Sequence, residues 1–567
     1  MDNPRILFLQ LPLPDNDTGG PGENLPLAGI QLAHALRQSE DGRGYIPCFL
    51  PPAADHDNNA AILQRIENLR PDVVACTLYL WNVERTLHLL RALRRRIPGV
   101  LRIGGGPEVA PDHPFLLRSP VFDALVCGEG EYALPVVLQA LRSGESPDRQ
   151  AIAWRAGTGL RFGTRPLPRV ELAGVTPPPE VQGRWLRRRP AAYIETTRGC
   201  PLRCTYCRYH QLYHRISALP VPDILARIRR FRELGARELR FVDPMLNAHP
   251  QFDALIEGMR DINRDGGLAC FAEIRADNLR PEQARDLAAA GFREIEVGLQ
   301  CITPEVLRAV RRPARLDALA ENIRTMRDAG ILVTLDLMYG LPLQTEAMFL
   351  ESLEWCRRLG GVRIQAMRTL LLPGTELRAT HARYGIPAVS KPPYAVTATA
   401  AMPRRTMRRI ERCIAESPDL PADYTTPRFT GCRLPGLFPG IIRTTPEGIP
   451  DLQLPACSRS RRAVAVSGTH LFRSASSIAS LITRAVREDP DSLWQFILEP
   501  GTEEPLDLLE ALVAVLRRLP ASVNDRFTAA HLHRMASRRL FIRLRRGVRY
   551  DRSWKSACED YLSSVFL

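Results

Sequence analysis

Short apolar runs separated by segments of helical period recur along most of this chain, and that rhythm confines it to α/β architectures built on parallel sheets. Strand-like runs stand at 6–13, 45–50, 73–81, 101–104 and 124–127, with helical periodicity over 27–36, 62–69 and 83–97 between them. They predict a doubly wound, Rossmann-like domain over residues 1–155. A linker is expected at 156–189, where the period breaks into Thr176-Pro177-Pro178-Pro179 and the basic Arg187-Arg188-Arg189-Pro190. A second series starts at Ala191 and continues through 238–242, 269–274, 294–299, 331–338 and 362–372. Six strands with intervening helices predict a partial parallel (β/α)6 barrel over 190–390, whose chemistry sits at the carboxyl ends of the strands. Residues 391–567 change character: 425–455 is rich in Pro, Gly and Thr, and helical period returns at 478–486 and 506–519. This region is expected to be a mainly helical or mixed cap domain that serves the substrate and covers the barrel mouth.

Thirteen cysteines in 567 residues are too sparse for a disulfide scaffold. No secretory signal and no apolar run long enough to span a bilayer is evident, so a cytoplasmic protein is expected. The net charge of +15 raises nucleic acid as a partner. The arginines, however, are spread along helix faces such as 91–96 and 227–230, which reads as a solvated surface. The basic closing segment has only Phe541, Tyr550 and Trp554 nearby to stack bases.

Three of the cysteines are clustered. Cys200, Cys204 and Cys207 stand at spacings of four and three in a loop directly after the first barrel strand. Three thiolates can hold a 4Fe-4S cubane and leave its fourth iron without a protein ligand. The rival is a structural zinc site completed by His210, which would have no need of a long barrel downstream. At these residues, with Tyr206 before the third cysteine, the chain resembles the radical S-adenosylmethionine superfamily over about 190–380. That resemblance implies S-adenosylmethionine bound at the open iron. It places Asp243, in the loop after the second strand, against the methionine end of the cofactor. Glu273, Arg275 and Gln300 are then set to meet its carboxylate or ribose, Arg275 being the natural carboxylate partner by fork geometry.

In the first domain, open parallel sheets bind ligands beyond the carboxyl ends of their strands. One such loop carries Gly104-Gly105-Gly106-Pro107-Glu108, and the next carries Cys127-Gly128-Glu129-Gly130. Glycines there let backbone approach a bulky planar ligand. A dinucleotide is disfavoured, because the first strand runs into Leu11-Pro12-Leu13-Pro14-Asp15 with no Gly-x-Gly-x-x-Gly. These loops, placed before the barrel, resemble the cobalamin-dependent branch of the superfamily, with Glu108 where the branch usually has His. The Asp-x-His-x-x-Gly motif of other cobalamin proteins is absent, so the lower face of a bound cobalamin is expected to meet Thr77-Leu78-Tyr79.

The resemblance implies transfer of a methyl group from S-adenosylmethionine, by way of cobalamin, to an unactivated carbon of a small-molecule or peptide substrate in specialised metabolism. It also implies an external one-electron reductant such as a flavodoxin or ferredoxin. The alternatives are a cyclase or rearrangement enzyme with the same cofactors and, in another class, a nucleic-acid-binding or RNA-modifying protein. No catalytic residue can be named; Tyr339 and Cys301 read better as packing than as hydrogen-transfer groups.

Overall fold

The structure, a computed structural model, describes residues 3–12, 24–213, 215–417, 420, 428–434, 437–526 and 537–566. Residues 1–2, residues 13–23 and parts of the Pro/Gly/Thr-rich stretch (425–427 and 435–436) lie outside the described residues.

β1 (Arg5–Leu9), β2 (Ile46–Phe49), β3 (Val73–Thr77), β4 (Leu101–Gly105) and β5 (Ala124–Val126) form a parallel sheet in the order β2-β1-β3-β4-β5. Alternate residues along each strand serve two cores. Leu7, Leu9, Val74 and Cys76 face one, and Ile6, Phe8, Val73 and Ala75 face the other, so helices cover both sides. The hairpin β6 (Ile152–Ala156) and β7 (Gly159–Phe162) adds antiparallel to the β5 edge. The first sheet therefore runs past the boundary expected at 155. The stretch expected to be a linker is partly packed, with Val170, Leu172, Val175 and Leu186 buried in the barrel core.

β8 (Ala191–Ile194) opens the second sheet and is followed by a two-residue hairpin, β9 (Thr197–Arg198) with β10 (Ser217–Ala218). β11 (Glu238–Phe241), β12 (Ala269–Ile274), β13 (Phe292–Gln300), β14 (Leu332–Tyr339) and β15 (Arg363–Arg368) continue it, all parallel and in chain order from β8. This is the partial barrel. Its core does not end at 390: Tyr394, Val396, Met402, Met407, Ile410 and Leu420 all pack into it. The composition changes at 391, but burial of these side chains keeps the chain on the barrel through the helix Arg404–Glu416.

The last region is mixed rather than mainly helical. β16 (Thr430–Gly431), β17 (Ile442–Thr444), β18 (Arg461–Gly468), β19 (Leu493–Pro500) and β20 (Arg538–Arg543) form a parallel sheet in the order β16-β20-β19-β18-β17. It has its own core around Phe429, Trp494 and Phe541. Backbone hydrogen bonds Asn58 N to Ser458 O (2.7 Å) and Ser460 N to His56 O (2.8 Å) dock it on the first sheet's side of the molecule. Among the described residues, the cysteine loop bonds to the first sheet's loops and to the barrel and not to this region. No described helix is long and apolar enough to cross a membrane.

Candidate active site

The chain leaves β8 through Glu195 and Thr196 and turns at Gly199, where φ is +107° and a Cβ would stand 2.2 Å from the Arg215 carbonyl oxygen. Only glycine fits there, and the turn delivers Cys200, Cys204 and Cys207 to one cavity of about 180 Å³. All three are free thiols. Among the described residues no group of three or more His, Cys, Asp or Glu is spaced to hold a single metal ion, whereas a cubane sets its thiolates farther apart than one ion does. His210 lines the same cavity, and its ring Nε2 lies 2.8 Å from Gln211 Nε2.

Asp243 does not reach the cavity. It is 1% exposed, and its carboxylate accepts from the hydroxyls of Thr196 (2.7 Å) and Thr197 (2.6 Å) and from both their backbone N–H groups. It braces the turn that carries the cysteines, which corrects its expected place against the cofactor. Burial pushes its carboxyl up to about 6, against the pull of those hydrogen bonds.

Tyr206, Glu273, Arg275 and Gln300 all line the cavity. The Arg275 fork is already spent, however: Nε and Nη2 bond the Asp277 carboxylate at 2.8 and 2.9 Å, and Nη2 also bonds Pro313 O at 2.6 Å. The cation that faces the thiols is Arg312, whose Nη1 lies 3.6 Å from Cys204 Sγ while Nε bonds Gly298 O at 3.0 Å. Arg312 follows the helix Pro304–Ala309 in an Arg-Arg-Pro turn, and nothing in its spacing separates it from a surface arginine. Gln300 sits at a bulge of β13 with φ +68°, its Oε1 buried and without a hydrogen-bond partner. An orphaned buried acceptor beside three thiols and a guanidinium fits a polar ligand at this wall of the cavity.

Two further acids, Glu296 and Asp336, complete the lining. Asp336 is 5% exposed, and burial together with the adjacent Glu296 carboxylate holds its carboxyl well above the usual range. Glu273 is also raised, by its surroundings and by Glu296. A carboxyl raised in the folded state keeps its proton longer than in the unfolded chain, so stability falls as pH rises from about 4 through neutrality. The cofactor-free protein is therefore expected to melt at lower temperature at pH 8 than at pH 5. Asp336→Asn should shrink the stability difference between pH 5 and pH 8 by roughly 1–3 kcal/mol; an unchanged difference in the variant would place the titration elsewhere.

The loops at the carboxyl ends of the first sheet's strands are tied to one another. Leu78 N donates to Gly105 O (2.7 Å) and Glu108 N to Leu78 O (3.2 Å), which stitches the two loops together. Asn82, which its sequence context does not single out, holds the other side: Nδ2 donates to Thr77 O and Oδ1 accepts from Tyr79 N. The Tyr79 ring stacks on Trp81, centroids 4.3 Å apart. Gly104 is a packing glycine, since a Cβ would lie 2.6 Å from Leu125. Gly105 has no atom nearer than 3.7 Å to its missing Cβ, and Gly106 (φ +107°) lies against the Leu78 backbone. Gly128 (φ +87°) likewise has only Leu212 O at 3.9 Å, while a Cβ on Gly130 would strike Leu32. Gly105 and Gly128 thus leave bare backbone where side chains would fill the space, a cradle that fits a large planar group.

Two expected contacts of this cradle are taken up otherwise. Glu108, 2% exposed, accepts from Tyr394 Oη (2.7 Å) and lies 3.1 Å from His113 Nε2, tying the first sheet to the segment after the barrel. Glu129 pairs with Arg198 (3.2 Å) and accepts from Val170 N. Arg208, next to the third cysteine, bonds Pro107 O, Val109 O and Gly374 O at 2.9–3.3 Å and reaches Cys127 Sγ at 3.5 Å. The cysteine loop and both glycine loops are thereby one hydrogen-bonded unit.

Residues 194–356 match the radical SAM superfamily domain and residues 26–138 match the B12 binding domain. The 2-(S-pantetheinyl)-carbapenam-3-carboxylate methyltransferase of Streptantibioticus cattleyicolor is 27% identical over 65% of this chain and 56% of its own length. The cobalamin-dependent radical SAM methyltransferase TokK of Streptomyces tokunonensis is 36% identical over 24% of this chain and 22% of its own. The chain thus spans little more than half the length of the first relative and less than a quarter of the second. Among solved structures, the radical SAM methyltransferase TsrM from Kitasatospora setae superposes with a TM-score of 0.55 at 17% identity, over 68% of this chain and 77% of that one. The cobalamin-dependent radical enzyme OxsB gives 0.52 at 17% identity, over 64% and 53%. These likenesses show a shared fold.

Proposed function

We propose that this chain, which carries a B12 binding domain followed by a radical SAM domain, methylates an unactivated carbon of a small molecule. The observation that carries the proposal is the hydrogen-bonded unit just described, in which Arg208 ties the loop of three free thiols to the loops of an open glycine cradle. When bound, the 4Fe-4S cluster with S-adenosylmethionine supplies a hydrogen-abstracting radical, and cobalamin supplies the methyl group. Cys200, Cys204 and Cys207 would hold the iron, and Arg312 beside Cys204 would offset the negative charge that the thiolates bring into the cavity. Gln300 Oε1 offers the unused acceptor for an amine or hydroxyl of the nucleoside ligand, and Glu273 lies on the same wall. Gly105 and Gly128 would admit the cobalamin ring, and Thr77, Leu78 and Tyr79, on the loop bonded to Gly105, would contact it. Arg208 closes the seam between the two parts, which keeps water from a reactive intermediate. Electrons come from an external one-electron reductant of the flavodoxin or ferredoxin kind. Both the carbapenam-carboxylate enzyme and TokK carry methyltransferase names, which supports methyl transfer, and the first names a small-molecule substrate.

Anaerobic reconstitution with iron, sulfide and hydroxocobalamin tests this. About four iron and one cobalamin per chain are expected after desalting, with deoxyadenosine and S-adenosylhomocysteine formed from S-adenosylmethionine under reduction. Iron without cobalamin would remove the methyltransferase assignment. Zinc in place of iron would overturn the radical chemistry as well.

A further inference from the structure

Where β14 and β15 end, at the paired residues Tyr339 and Arg368, a second and larger cleft of about 950 Å³ opens. It shares no lining residue with the cysteine cavity. One wall is the helix Arg404–Glu416, which presents Arg404, Met407, Arg408 and Glu411, continued by Lys391, Pro392 and Pro393. The facing wall is Glu84, from the helix Val83–Arg96, and Asp525.

The charges on the two walls are not equivalent. Glu411 is paired with Arg368, and the Asp525 carboxylate accepts from Ser522 N (2.8 Å) and Ser537 N (3.1 Å). Glu84 has a contact of its own. Arg404, Arg408 and Lys391, by contrast, have no ion-pair or hydrogen-bond partner among the described residues. Like charges gathered on one wall of a concavity raise the local positive potential and draw in a ligand of opposite sign. On the far side of the same helix Arg409 is paired with Glu346, whereas Arg404 and Arg408 on the cleft face have no such carboxylate against them among the described residues. The volume is that of a small-molecule site, and a fork of two arginines one helical turn apart suits a phosphate or carboxylate. Val389, Ala395 and Met407 add an apolar wall for the remainder of the ligand.

We infer that this cleft binds the anionic end, phosphate or carboxylate, of the small molecule to be methylated, with Arg404, Arg408 and Lys391 as its recognition residues; this rests on the methyl-transfer reading above. A nucleic acid would need an extended basic track rather than a walled cleft.

The test uses the reconstituted full-length chain in a non-phosphate buffer, titrated by calorimetry with pyrophosphate and, separately, with citrate. Two double variants reverse the same charge on the same helix: Arg404→Glu with Arg408→Glu on the cleft face, and Arg405→Glu with Arg412→Glu away from it. At least one probe should bind the wild type, lose about tenfold or more in affinity in the first variant, and change less than about twofold in the second. Which probe binds decides between phosphate and carboxylate. No binding of either probe, equal losses in both variants, or displacement of the bound probe by a single-stranded oligonucleotide would overturn the inference. Iron content and circular dichroism of each variant report folding. Products from S-adenosylmethionine, measured on the wild-type sample, report the underlying reading separately: their absence strikes at methyl transfer, and absence of probe binding strikes at the cleft.

Discussion

Changing Cys200, Cys204 and Cys207 together to Ala is expected to take the reconstituted protein from about four iron per chain to less than one, with deoxyadenosine formation abolished and cobalamin retained. The size of the effect follows from the loop's construction. Its strand, hairpin and Gly199 turn exist independently of the thiols, held by Asp243 and by backbone bonds, so the variant should fold and simply lack ligands. Other cysteines do not substitute. Cys76, Cys270, Cys301, Cys356 and Cys558 are buried in hydrophobic cores away from the cavity lining, and Cys127, although it reaches Arg208, does not line the cavity. Burial pushes Cys207 up to about 11. The thiolate state must therefore come from the metal itself, which deprotonates its ligands as it binds. Iron retained in the triple variant would refute these ligands, and loss of cobalamin alongside iron would show that the two sites fold as one.

The fold was legible because parallel sheets write themselves as apolar runs at near-regular intervals, and the cysteine spacing is local in sequence. What the chain order conceals is pairing across distance. Asp243 looks like a loop acid aimed at a ligand, and only the approach of β8 to β11 shows its four donors on Thr196 and Thr197. Arg275 and Arg312 have the same chemistry. Asp277, two residues from Arg275, neutralises the first and leaves the second for the thiols, a choice made by side-chain geometry that no spacing records. Glu108 occupies a position that suggests a cofactor contact, and its partner Tyr394 lies 286 residues away. The boundary near 391 misled for a related reason. A change in composition marks where surface residues become basic and proline-rich, whereas the barrel core is defined by Tyr394, Met402 and Ile410, scattered among them.

Arg198→Leu should be the most damaging single substitution outside the cysteines, costing about 3–5 kcal/mol. Arg198 is 4% exposed, and its guanidinium serves three carboxylates: Glu195 through two bonds of 2.9 Å, Glu131 at 2.9 Å and Glu129 at 3.2 Å. Removing the cation leaves all three acids facing one another in a poorly hydrated seam, and that uncompensated charge, rather than the lost attraction, sets the size of the loss. The consequence is functional as well as structural. Glu129 and Glu131 flank Gly130 in the cobalamin-side loop, and Arg198 stands two residues before Cys200, so the same group fixes the cradle relative to the cysteines. Thermal melting of the cofactor-free protein should fall by several degrees, and cobalamin should wash out while iron remains. Arg198→Leu combined with Glu129→Gln and Glu131→Gln separates the two roles. Neutral amides relieve the repulsion, so stability should largely return. Without the cation the loop is no longer drawn to the cysteine turn, so cobalamin retention should stay low. Recovery of both together would reduce Arg198 to charge balance, and recovery of neither would assign the loss to packing against Tyr213, whose ring lies 5.6 Å from the guanidinium.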